Sequence, residues 1–180
     1  MKAYYYWIAA IVIALDQIVK QIIVAQVELH EQISVIGNFF LITHILNPGA
    51  AFGILKGASV FFIIVTTLVV SGIIWFMERN KRTGSKLMLV ALGLVLGGAI
   101  GNFIDRLLHG EVVDFLQFNF GSYTFPIFNI ADSAIVCGVA LILLDAILTK
   151  EEPAAEVSEQ DGEVHNHGSE SLASTDKPVN

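Results

Sequence analysis

Long apolar runs separated by short polar breaks dominate the first 149 residues of this chain. Four of them, roughly Tyr5 to Ala25, Ser59 to Met77, Leu87 to Asp105 and Ile130 to Leu148, are long and apolar enough to be membrane spans. A helix needs about 20 apolar residues to cross a bilayer. The first run sits where a secretory leader would, but Asp16 and Lys20 interrupt it. A cleavable apolar region is uncharged and ends at small residues, so this run reads as a retained span. The third run carries Gly93, Gly97 and Gly101 at helical spacing, a face on which another helix can approach closely.

The polar breaks set an expected orientation. Arg79, Lys81, Arg82 and Lys86 fill the short connection after the second span, and Lys2 precedes the first. Cationic loops stay on the cytoplasmic side, so both termini and the 78–86 turn are expected there, with Trp7 and Trp75 near the inner interface. The connections at about 28–58 and 106–129 then lie together on the outer side. Within the first, Ile33 to Leu46 is rich in Ile, Val, Phe and Thr, with a turn signal at Gly37-Asn38. That pattern predicts a small hairpin or sheet capping the helix ends. The expected fold is thus an α-helical membrane protein of four transmembrane helices with a small extracytoplasmic β-rich cap.

Composition agrees with a lipid solvent: 54% of residues are hydrophobic and the mean hydropathy is +0.68. A soluble domain of this length has no means of burying so much apolar surface. The net charge of −7 belongs to the tail, because residues after Thr149 hold eight acids and two lysines, a net of −6. Residues 1–149 therefore read as a membrane domain, and 150–180 as an acidic, disordered cytoplasmic tail. His165 and His167 in that tail read as solvated polar residues ahead of a weak metal site. No basic patch suits nucleic acid. The single cysteine, Cys137, excludes an intramolecular disulfide or a Cys-based metal cluster, and its apolar surroundings suggest a small core residue.

Chemistry is sought among the polar groups that a membrane domain otherwise avoids, since a charge at mid-bilayer costs about 2.5–3.5 kcal/mol on insertion scales. Asp16 and Lys20 stand one helical turn apart in the favourable order, but such a pair gains only about 0.2–0.5 kcal/mol on an exposed helix. Further polar partners inside the bundle are expected. The pair either fixes helix packing or supports an active site. Asp105, followed by Arg106, suits a structural ion pair. Asp114 is framed by apolar neighbours in Val112-Val113-Asp114-Phe115, and Asp132 opens the fourth span. Alone, Asp132 reads as an N-cap or first-turn acid favoured by the helix dipole. Two carboxyls brought to one rim change that reading. They cannot both ionise cheaply, so one stays protonated while the other acts as base, which is what peptide hydrolysis requires. His30, His44 and His109 are scattered, and no HExxH or Gly-x-Ser-x-Gly occurs.

Five strings in order, DQIVK (16–20), NPGAAFG (47–53), GGAIGNFIDR (97–106), VVDF (112–115) and FNIADS (128–133), resemble signal peptidase II, the lipoprotein signal peptidase family. Val19 stands where the family often has a hydroxyl residue. The resemblance implies an aspartic peptidase of the bacterial inner membrane with Asp114 and Asp132 as its catalytic pair. It further implies that Asn47, Gly49, Asn102, Arg106 and Asn129 line or brace the site, with Asp16 and Lys20 in support. The implied substrate is a preprotein whose cysteine bears a diacylglyceryl group, cut just before that cysteine at the extracytoplasmic side, without metal or organic cofactor. The competing reading of the residues is a small proton-coupled transporter, since intramembrane acids serve as relays. Against it stand the absence of an internal repeat and the position of the acids toward one rim. A structural assembly factor is a third reading, resting on the glycine face and the tail.

Overall fold

The structure, a computed structural model, describes residues 4–49 and 59–149. Residues 50–53 of the second string and the acidic tail lie outside the described residues. The order of elements is α1 (Tyr4–Gln26), β1 (Gln32–Ile36), β2 (Phe40–Asn47), α2 (Ser59–Asn80), α3 (Lys86–His109), β3 (Val112–Phe120), β4 (Tyr123–Thr124) and α4 (Ile130–Thr149). All four helices are long and apolar enough to cross a membrane.

α3 is the spine of the bundle. Its glycines let neighbouring backbones approach: a Cβ on Gly97 would stand 2.8 Å from the Ala9 carbonyl oxygen and 2.7 Å from Val12 Cβ, both on α1. Gly93 meets the Tyr5 carbonyl of α1 in the same way, and Gly98 on the adjacent face meets the Ala131 carbonyl of α4. Small residues thus replace the hydrophobic effect, which gives no drive for helix association in lipid, with close packing. At one end of α3, Ser85 caps the helix by accepting from Met88 N at 2.9 Å. At the other, Gly110 adopts φ +80 and its N–H closes the last turn onto the Arg106 carbonyl. Tyr5, Ala9, Met77, Leu89, Leu92 and Leu96 form the apolar core nearer the α2–α3 turn.

At the far end from that turn lies an antiparallel sheet of order β1-β2-β3-β4. The hairpin predicted around Gly37-Asn38 is β1–β2. Its neighbour β3 comes from the second outer connection, so both connections build one sheet. A register shift between Ile42 and Ile45 buries both Thr43 and His44. β3 also exchanges hydrogen bonds with Phe128, through Leu116 N to Phe128 O at 2.8 Å and Phe128 N to Leu116 O at 3.2 Å. That pairing brings β3 against the start of α4.

Cys137 departs from its expected place. It is exposed on α4, among Val136, Val139 and Leu143, on a surface that lipid covers in a membrane. Periodicity cannot tell core from lipid here, because apolar residues occur on every side of α4.

Candidate active site

The site begins with the cap of α4. Asn129 Oδ1 accepts from Asp132 N at 2.9 Å, and Asp132 Oδ2 accepts from Asn129 N at 3.2 Å, a reciprocal capping box. The first-turn role of Asp132 is therefore present, but it occupies only one carboxylate oxygen. Oδ1 accepts from Asn102 Nδ2 of α3 at 2.6 Å. The amide nitrogen of Asn129 meanwhile reaches Asp114 Oδ1 on β3 at 2.7 Å, and lies 3.1 Å from Asn102 Oδ1 and 3.3 Å from the Val113 carbonyl. One fully buried asparagine thus holds both Asp114 and Asp132. Asn47, at the end of β2, donates to Asp114 Oδ2 at 2.8 Å.

Asp114 is 3% exposed and its carboxyl is pushed up to about 7. Burial is the main cause, and the nearby charge of Asp132 adds to it. Hydrogen bonds from Asn47 and Asn129 and the charge of Lys20 pull the other way.

Behind the two acids stands a buried ionic brace. Lys20 Nζ lies 2.8 Å from Asp16 Oδ2, 2.8 Å from Asp105 Oδ2 and 3.0 Å from Asn102 Oδ1, so three acceptors meet its three protons. Asp16 Oδ1 accepts from Ala131 N at 2.9 Å, and Asp105 Oδ2 accepts from Val113 N at 3.2 Å. The brace therefore grips the backbone beside each acid, tying α1, α3, β3 and α4 together. The extra partners expected for the Asp16–Lys20 pair are Asp105 and Asn102.

The cation of Asp105 is Lys20, where sequence adjacency suggested Arg106. Neighbours on a helix point about 100° apart, so Asp105 and Arg106 face different sides of α3. Arg106 turns instead toward the first outer connection, lying 3.3 Å from the Asn102 and Gly49 carbonyls and 4.9 Å from the centre of the Phe62 ring. Gly49 N in turn donates to Asn47 Oδ1 at 3.0 Å, fixing the amide that serves Asp114. Gln17 was not singled out in the sequence, yet its Nε2 joins Asp105 Oδ1 at 2.9 Å to Asp16 Oδ2 at 3.3 Å. Its place directly after Asp16 on a charged helical face was the only signal.

Asp132 and Arg106 open onto a groove of about 280 Å³ between α2, α3 and α4. Val65, Thr66 and Val69 form one wall, and Val95, Ala99 and Ile135 the other. The groove is apolar along the helices and polar at its end.

A family model described as Signal peptidase (SPase) II matches residues 8–148. The chain belongs to the signal peptidase II family. Relatives of signal peptidase II named "Lipoprotein signal peptidase" include one from Shouchella clausii (strain KSM-K16), 52% identical over 79% of this chain and 92% of its own length. Another, from Bacillus pumilus (strain SAFR-032), is 49% identical over 82% of this chain and 97% of its own. A solved bacterial membrane enzyme shares the fold with a TM-score of 0.77 at 39% identity, covering 92% of this chain and 96% of that one. The signal peptidase II match spans all four helices and the sheet, leaving the tail outside it.

Proposed function

We propose that this chain removes signal peptides from lipid-modified preproteins by aspartic chemistry, with Asp114 and Asp132 as the pair that cuts. The observation that carries this reading is Asn129, which bonds both carboxyls at once and holds them at one end of an apolar groove. The relatives' shared name, lipoprotein signal peptidase, supports the substrate class.

The signal helix enters the groove between α2, α3 and α4 and presents its scissile bond beside Asp132. The substrate's diacylglyceryl chains remain in the bilayer, where each buried CH₂ adds about 0.8 kcal/mol to anchoring. Asp114, its carboxyl pushed up to about 7, is the member that holds the shared proton, in about half of the molecules at neutral pH. Asp132 takes a proton from water, and the resulting hydroxide attacks the carbonyl carbon. Asp114 then delivers its proton to the leaving amine, so the pair ends with its proton exchanged between members and ready to reset. Asn102, Asn129 and Asn47 hold the carboxyls in place, and the Lys20 brace holds the backbone that carries them. Positive-inside orientation puts this end of the bundle on the extracytoplasmic face of the bacterial membrane.

The direct test is turnover of a lipidated preprotein by purified Asp114→Asn and Asp132→Asn proteins. Each is expected to lose about a thousandfold or more, the scale of positioned acid–base catalysis. Turnover near that of the parent in either variant would remove that residue from the chemistry. The pH profile gives a second test. Asp114 is raised to about 7, so its acid form predominates below that value and activity falls as pH rises through it. Asn47→Ala removes a donor that favours the ionised carboxyl, so the falling limb should move to higher pH. A limb that stays put in that variant would show that Asp114 does not set it.

A further inference from the structure

A separate cavity of about 320 Å³ lies between α1, α3 and the sheet, and it shares no lining residue with the groove at Asp132. Its polar wall is Lys20 and Gln21 of α1, His44 of β2, Asp105 and His109 of α3, and Glu111 just before β3. That volume is at the lower end of the roughly 300–1,000 Å³ of small-ligand sites.

His44 is the group in this wall that the fold leaves incomplete. It is 8% exposed, and its Nδ1 lies 2.9 Å from the Val27 carbonyl. A carbonyl only accepts, so Nδ1 carries the proton and Nε2 is left with a lone pair. Among the described residues that buried Nε2 has no hydrogen-bond partner, a state that buried polar atoms rarely occupy. The cavity thus offers an acceptor that needs a donor.

Charge points the same way. Lys20 is the only Lys or Arg in the wall, and its ammonium already serves Asp16, Asp105 and Asn102. One cation between two carboxylates leaves the brace with residual negative charge. Glu111 adds to it, half-buried and with no cation within ion-pair distance among the described residues. A ligand here needs positive charge and a proton to donate. No three His, Cys, Asp or Glu side chains among the described residues are placed to hold a metal ion, which favours an organic cation.

We propose that this cavity binds a primary ammonium group, which donates to His44 Nε2 and to the Glu111 carboxylate. Val24 and Leu46, both exposed, border it with apolar surface, and α1 and α3 end beside it at Gln26 and His109. The ends of spanning helices lie at the depth of phospholipid headgroups. An ethanolamine headgroup supplies the ammonium from the membrane, and free ethanolamine supplies it from water. The site is independent of the peptidase reading.

Two measurements on the full chain in detergent test this. In the first, the protein is incubated with equal amounts of phosphatidylethanolamine and phosphatidylcholine of the same acyl chains, and retained lipid is read by native mass spectrometry. In the second, ethanolamine and choline are compared by titration calorimetry. Choline keeps the charge but has no N–H to donate. The parent should favour the primary ammonium several-fold, and Glu111→Gln and His44→Phe should each bring the pair to parity. Should His44→Phe lose its helical circular dichroism, Glu111→Gln decides alone. A preference in the lipid measurement assigns the ammonium to a headgroup, and one with ethanolamine alone assigns it to a free amine. No preference in either, or a preference that survives in Glu111→Gln or in folded His44→Phe, would overturn the proposal.

Discussion

α3 and α2 are adjacent helices of similar length and hydropathy, yet they are used in opposite ways. α3 buries eleven residues, among them Leu89, Leu92, Asn102 and Asp105, and packs against α1, α2 and α4. α2 buries only Met77, while Val60, Leu68 and Trp75 stand well exposed. Of the two, the tightly packed helix lends a polar side chain to the catalytic candidates, Asn102 donating to Asp132. The loosely packed helix supplies an apolar wall of the groove that leads to Asp132. Under the proposed function, rigidity is placed where the two carboxyls would keep their geometry, and freedom where the signal helix would enter.

Breaking the brace that ties α1 to α3 should have the largest effect on stability. Lys20→Met leaves Asp16 and Asp105 buried without their cation, a loss of about 3–5 kcal/mol. Thermal unfolding in detergent, followed by circular dichroism, should show a lowered midpoint, and an unchanged midpoint would deny the brace its structural role. Truncating one leucine on each helix sharpens the contrast. Leu89→Ala opens a cavity in a fully buried position and should cost about 2 kcal/mol, mostly lost packing, since lipid is no less apolar than the core. Leu68→Ala, 68% exposed on α2, should stay within about 0.5 kcal/mol. Equal losses would mean that α2 is packed against something in the membrane.

The glycines give a contrast in which the two effects differ in sign. Gly97→Ala forces a methyl against α1 and should destabilise by about 1–3 kcal/mol. Gly72→Ala on α2 meets nothing within 4 Å and should stabilise by about 0.5–1 kcal/mol through helix propensity. Both are read from the same unfolding midpoints, and a destabilised Gly72→Ala would reveal a close neighbour for α2.

Much of this was legible in the chain itself. Hydropathy and the length needed to cross a bilayer located all four helices, and the start of α2 at Ser59 and of α4 at Ile130 agree to the residue. The β1–β2 turn followed from Gly37-Asn38, and the face that receives α1 from the spacing of Gly93, Gly97 and Gly101. These properties depend on local pattern and on the solvent, both of which a sequence records. The candidate acids were also visible, because an ionisable group in an apolar run stands out.

Partnership was decided only in three dimensions. Asp105 sits next to Arg106 in the chain but bonds Lys20, 85 positions away, because helical geometry turns adjacent side chains apart while packing brings α1 onto α3. That Cys137 faces outward was not legible, because the apolar residues around it on α4 suit lipid and core alike. Asn129 caps α4 through Asp132 N, and only because the fold lays β3 beside it does its amide also hold the carboxyl of Asp114. The sequence marked which residues are costly to place in a membrane. Which of them share that cost is a matter of distance, and distance between remote segments exists only in the folded chain.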